Sequence, residues 1–248
     1  MFNIDSRNRS GFTLVELLIV VAIIAVLGAI LLPVYASAKS SGRRAKCQSN
    51  LRQIGQAFQL YQADYSDCYP NTGDPYLWMG RRWRWPLKRY VILAAQKDPN
   101  DPSNPYKSIG QTMSVLKCPE DETPKSVWDD TSYAYAACFY HNPNDVDSMT
   151  IQQLWDPSSP GPPCVTQSSS GVLQPSRKAI ITEWLANHSF ERNEQGKKFG
   201  WWEYGGARNY LFADGHVQFY NSRSILSPAN SNCPDISRTK RGIAGRDI

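Results

Sequence analysis

Ser10-Gly11-Phe12-Thr13-Leu14-Val15-Glu16-Leu17-Leu18-Ile19-Val20-Val21-Ala22-Ile23-Ile24-Ala25-Val26-Leu27-Gly28-Ala29-Ile30-Leu31-Leu32-Pro33-Val34-Tyr35 is the stretch on which the reading of this chain turns. Leu17 to Leu32 carries no polar side chain. Counted from Phe12 to Tyr35 the run meets the roughly 20 residues that an α-helix needs to cross a bilayer. One acid, Glu16, stands near its start. An unpaired carboxylate at mid-helix in hydrocarbon costs about 2.5–3.5 kcal/mol on insertion scales, so Glu16 calls for a cationic partner.

A cut between Gly11 and Phe12 would supply one. It would place an α-amino group four residues before Glu16, free to neutralise that carboxylate in a neighbouring subunit of a packed helix bundle. Gly11-Phe12-Thr13-Leu14-Val15-Glu16 ahead of the apolar run resembles the signal of type IV pilins and type II secretion pseudopilins. The resemblance implies that a prepilin peptidase removes residues 1–11 on the cytoplasmic side after Gly11. The same enzyme would N-methylate Phe12, and Glu16 would set register during assembly with other pilin-like subunits. It further implies a single-pass inner-membrane protein whose head lies in the periplasm or on an extracellular filament.

Two other readings use the same residues. Arg7 and Arg9 followed by the apolar run and Ala36-Ser37-Ala38 resemble an ordinary secretory signal, but the run exceeds the about 7–15 residues of such a region and opens on a carboxylate. A plain single-pass anchor needs neither Gly11 nor Glu16. The distribution of basic residues does not orient the span, because Lys39, Arg43, Arg44, Lys46 and Arg52 follow it with no acid before Asp64.

The 248 residues fit one to two domains, and one is the simpler expectation. Lys plus Arg is 27 and Asp plus Glu 22, a net charge of +5 that is mild for a nucleic-acid-binding domain and suits anionic headgroups. The fold class expected is α+β and pilin-like: a long N-terminal helix, transmembrane in its first half, packed on an antiparallel β-sheet head with long loops. Residues 1–11 read as leader, 12–35 as transmembrane or filament-core helix, 36–65 as its amphipathic continuation and 66–248 as the head. Cys47, Leu51, Ile54, Phe58, Tyr61 and Tyr65 step by 4, 3, 4, 3, 4, the spacing of one helix face that a head must cover. At 1.5 Å per residue such a helix is roughly 80 Å long. Pro33 is expected to kink it, since proline removes an intrahelical hydrogen bond. Cys68-Tyr69-Pro70-Asn71 is expected to end it.

Arg81, Arg82, Trp83, Arg84, Trp85, Lys88 and Arg89 form the one dense basic and aromatic cluster. Such a mixture can hold a phosphate backbone with stacked bases, giving the alternative of a minor pilin that binds DNA or another anionic ligand. The plainer reading is a short helix from Pro86 with solvated cations, and nucleic acid is not the expected partner. Residues 98–104 and 142–147 are rich in oxygen donors and could line calcium, although neither has EF-hand spacing and the ordinary turn reading is preferred. No other cofactor is expected.

The six cysteines, Cys47, Cys68, Cys118, Cys138, Cys164 and Cys233, include no C-x2-C or C-x4-C pair, which argues against structural zinc. An even number outside the cytoplasm suggests disulfides, though six cysteines allow 15 pairings that the sequence does not choose between. Cys47 with Cys118 is the pair that would tie helix to head; free buried cysteine is the competing reading.

Residues 132–140 and 178–184 are the clearest strand signals. Residues 208–213 and 216–220 flank Asp214-Gly215, a pair suited to a two-residue type I′ hairpin turn, in which both positions take positive φ. Together with residues 47–58, Lys117-Cys118-Pro119 and Ser132-Tyr133, the run from Gly206 to Val217 is similar to large pilin-like proteins with an H-X9-DG domain. Tyr204 stands where that motif has its histidine. His141, His188 and His216 belong to no nucleophile elbow, phosphate loop or His-Glu-x-x-His pair, so no enzyme is expected.

Overall fold

In the computed structural model, residues 13–76, 86, 87, 89–91, 115–123, 131–156 and 158–248 are described. The chain divides into two compact units, one ending at Gly42 and one running from Arg43 to Ile248. Helix α1, Leu14–Asp64, contributes to both and passes through Pro33 as one element. In the first unit the large apolar side chains from Leu14 to Tyr35 are 45–79% exposed. This helix is long and apolar enough to cross a membrane.

In the second unit the same helix buries Cys47, Leu51, Ile54, Phe58 and Tyr61, the face that the 4, 3, 4, 3 stepping marks out. Tyr65 departs from it: it lies one residue beyond the helix, 46% exposed, with its ring stacked on Tyr61 at 4.2 Å. The helix ends at Asp64, within one residue of the expected bound and ahead of Cys68. Ser66 and Asp67 adopt φ of 52° and 56°, and the Asp67 N–H turns back to donate to Gln62 O at 2.8 Å. Left-handed residues after the last turn satisfy carbonyls that the helix leaves without partners.

Four antiparallel strands follow, β1 (Tyr133–Tyr135), β2 (Ala179–Glu183), β3 (Ala207–Phe212) and β4 (Val217–Asn221), ordered β1-β2-β3-β4. β1 is shorter than its aromatic sequence suggests, because Ala137–Phe139 winds into a 3₁₀ turn. β2 bulges against β3 between Ala179 and Ile181, while on its β1 side the Ile180 carbonyl accepts from Ala136 N at 2.8 Å. The α1 face lies on this sheet: the Phe58 and Tyr135 rings are 5.2 Å apart, and a methyl added at Gly55 would come 2.9 Å from Leu211 Cδ1. Glycine at 55 therefore permits a close approach of helix to sheet. Long connections, including the short helices α2 (Pro143–Val146) and α3 (Gln152–Trp155), add Tyr69, Val146, Leu154, Ile236 and Ile243 to the same core. The α+β architecture is thus present, an apolar N-terminal helix together with a four-stranded antiparallel sheet.

The β3–β4 turn corrects the hairpin expectation. Only Gly215 has positive φ, at 88°; Asp214 does not. Gly215 N donates to Phe212 O at 2.9 Å and Phe212 N to His216 O at 2.9 Å, a three-residue loop of Ala213, Asp214 and Gly215 closed by a left-handed glycine. The Asp214 side chain accepts from His216 N at 3.1 Å and lies 2.6 Å from His216 Nδ1, so it bridges the turn from its own side.

Candidate functional site

At the start of α1, Thr13 and Glu16 cap the helix reciprocally. Glu16 Oε2 accepts from Thr13 N at 2.9 Å and from Thr13 Oγ1 at 2.7 Å, while Glu16 N donates to Thr13 Oγ1 at 3.3 Å. A threonine followed three residues later by glutamate satisfies amides that open every helix, and the carboxylate also favours the positive end of the dipole. Glu16 stays exposed, so its charge has no neutralising cation among the described residues of this chain. Gly11 and Phe12 lie outside the described residues. So do Arg81, Arg82, Trp83, Arg84, Trp85 and Lys88 of the basic and aromatic patch, together with residues 98–104. Arg89 is described and exposed; Leu87 beside it is buried. Tyr90 donates to Asp64 Oδ2 at 2.6 Å, which pushes its phenol up to about 12.

In the oxygen-rich segment at 142–147 two side chains accept from backbone amides. Asn142 caps α2 by accepting from Asn144 N at 3.0 Å, and Asp147 Oδ1 accepts from Arg241 N at 2.7 Å. Two buried ionic groups hold the last part of the head. Lys178 meets Asp247 at 3.4 Å, with Asp247 Oδ2 also accepting from Ala179 N at 2.7 Å; Arg238 Nε donates to Asp235 at 2.6 Å. Burial raises both carboxyls above their ordinary range against the pull of their cations. Arg208 is buried, and its guanidinium donates to Ser222 Oγ at 2.6 Å and to the Gly200, Phe199 and Gly205 carbonyls. These contacts pin a loop and carry no chemistry of their own.

Cys47 and Cys118 are joined by a disulfide, Cα to Cα 5.1 Å, between α1 and the segment before β1. Cys68, Cys138, Cys164 and Cys233 are free, and burial pushes the Cys138 thiol up to about 11. Against the disulfide stand two groups that short spacing could not reveal. His188 Nε2 lies 3.2 Å from Cys118 Sγ and 3.2 Å from Glu183 Oε1. Glu183 projects from β2, and its other oxygen accepts from Asn209 N at 2.8 Å and Asn209 Nδ2 at 3.1 Å. All four side chains are buried. The one signal in the sequence is an acid that ends a strand otherwise built of Ala, Ile and Thr.

Residues 6–32 match the family model described as the prokaryotic N-terminal methylation motif. The chain is 41% identical over 65 residues to the type IV wide pilus major component PilA4 of Thermus thermophilus, covering 26% of this chain and 50% of that protein. It is 32% identical over 66 residues to the type II secretion system core protein G of Pseudomonas aeruginosa, covering 27% of this chain and 46% of that protein. The chain thus spans about half the length of the curated relatives it matches. No solved structure matches it. Joined to the apolar, acid-opened helix, these matches show that the N-terminal segment of the chain is similar to that of type IV pilins and type II secretion pseudopilins.

Proposed function

We propose that the chain is a structural subunit of a type IV pilus-like or type II secretion filament, and not an enzyme. The observation that carries this is the coincidence of the methylation motif with an exposed apolar helix that bears a single acid, Glu16, near its start. A prepilin peptidase and methyltransferase cuts after Gly11 and methylates Phe12. The mature chain then stays in the inner membrane by α1 with its head on the far side. In the filament α1 packs against α1 of other pilin-like subunits, which buries its exposed apolar side chains. Burial of that kind is worth about 25 cal/mol per Å² of apolar surface. It does not specify register, because apolar faces slide. Glu16 does, since a subunit out of register leaves its carboxylate without the Phe12 amine of its neighbour.

The test is Glu16→Ala in the native host, scored separately for cleavage and for recovery in sheared or cross-linked filaments. The proposal expects a cleaved chain that remains in the membrane and is absent from filaments. Filaments of normal yield would refute the pairing.

A further inference from the structure

Cys47 Sγ, Cys118 Sγ, His188 Nε2 and Glu183 Oε1 lie within 4.8 Å of one another in the buried interior of the head. They come from α1, the segment before β1, the segment after β2 and β2 itself, so the fold gathers them from four separate parts of the sequence. His188 Nε2 faces two acceptors at once, each at 3.2 Å, and one ring N–H can serve only one of them. Among the described residues Glu183 Oε1 meets only the His188 Nε2 that it shares with Cys118, whereas Glu183 Oε2 is held by two N–H groups of Asn209. One oxygen is thus fixed from behind and the other is aimed inward, the arrangement of a carboxylate ligand with an outer-shell partner.

We propose that this cluster is a redox-gated Zn²⁺ site: the reduced chain binds one ion through Cys47, Cys118, His188 and Glu183, and closure of the disulfide expels it. Zinc takes four ligands tetrahedrally, at about 2.3 Å to sulfur and 2.0–2.2 Å to nitrogen or oxygen, which sets ligand separations of roughly 3.3–3.8 Å. The 3.2 Å separations from His188 Nε2 to sulfur and oxygen are already close to that, and opening the disulfide lets the sulfurs part to the distance required. Two thiolates with an imidazole favour zinc over calcium or magnesium, which take oxygen. The ion cancels the charge of both thiolates, and the Asn209 donors support the charge that remains on Glu183.

Opening takes two electrons and two protons from a dithiol reductant, which itself becomes a disulfide. Two cysteine thiols result. Zn²⁺ then displaces both thiol protons to solvent as the S–Zn bonds form. On reoxidation the two sulfurs rejoin, two electrons pass to an oxidised thiol-disulfide partner, and the ion leaves.

The test uses the full chain in detergent micelles, reduced with a phosphine, desalted under argon and titrated with Zn²⁺ against a chromophoric chelator, with Co²⁺ as the spectroscopic probe. The expected result is one Zn²⁺ per reduced chain and none per oxidised chain, with a thiolate charge-transfer band and tetrahedral ligand-field bands for Co²⁺. Glu183→Gln, which preserves the oxygen that Asn209 holds, and His188→Ala should each weaken binding by at least the about 10–100-fold that loss of an outer-shell partner costs. Each variant is first shown to melt cooperatively in its oxidised form. Absence of stoichiometric binding to the reduced wild-type chain overturns the proposal whatever the variants do. Equal affinity in wild type and both variants also overturns it, since two cysteines would then be chelating alone.

Discussion

Glu16 Oε2 is held by its own chain, by Thr13 N at 2.9 Å and Thr13 Oγ1 at 2.7 Å, before any neighbour reaches it. The carboxylate therefore has two separable duties, to cap α1 and to carry charge. Glu16→Gln keeps an oxygen for the cap and removes the charge; Thr13→Ala keeps the charge and weakens the cap by about 1 kcal/mol. Filament recovery should collapse in Glu16→Gln and persist in Thr13→Ala. The reverse pattern would make Glu16 a capping residue only.

The disulfide closes a loop of 71 residues between α1 and the sheet. In the chain-entropy account a loop of that size is worth about 4 kcal/mol. Denaturant unfolding of Cys118→Ser, or of the wild-type chain under reductant with a chelator present, should show a loss of about 2–5 kcal/mol relative to the oxidised chain. A loss below about 1 kcal/mol would mean that the stripe on α1 holds the head without it.

Gly55 and Leu211 set the distance between helix and sheet, at 2.9 Å for an added methyl. Gly55→Ala gains about 0.5–1 kcal/mol of helix propensity and asks only a leucine methyl to move, so its stability should stay within about 1 kcal/mol of wild type. Gly55→Val overfills the same contact and should cost about 1–3 kcal/mol in thermal or denaturant unfolding.

His141 is buried with Nδ1 against Pro163 O at 3.2 Å, which fixes the proton there, and Nε2 has no hydrogen-bond partner among the described residues. Burial lowers its folded pKa from the usual 6.5. The unfolded chain therefore binds the proton more readily. Stability from this group is complete above pH 6.5 and is lost below it, by at most about 1.4 kcal/mol per pH unit. Unfolding at pH 7.5 and 5.5 should show a larger drop for wild type than for His141→Asn, which keeps a donor toward Pro163 and does not titrate.

Local patterns made much of this molecule legible. Cys47, Leu51, Ile54, Phe58 and Tyr61 announce their shared face because helical spacing is a property of the sequence itself. The strands at Ala179–Glu183 and Ala207–Phe212 announce themselves by β-branched and aromatic residues. What was not legible depends on long-range contact. Asp214-Gly215 marks a turn, but Phe212 and His216 decide which turn, through bonds set by β3–β4 register. Glu183 and His188 meet Cys118 only because β2 pairs with β1, and no spacing rule relates residues that far apart. The helix could be read directly; the buried cluster required the fold.

The central claim, that this chain enters a filament by the pilin route, is tested most directly by the intact mass and N-terminal peptide of the mature protein from the host's membrane fraction. The account predicts a chain that begins at Phe12 and carries one methyl group on its amine. A chain that begins at Lys39 in the soluble fraction, or one that retains residues 1–11 in the membrane, would contradict it.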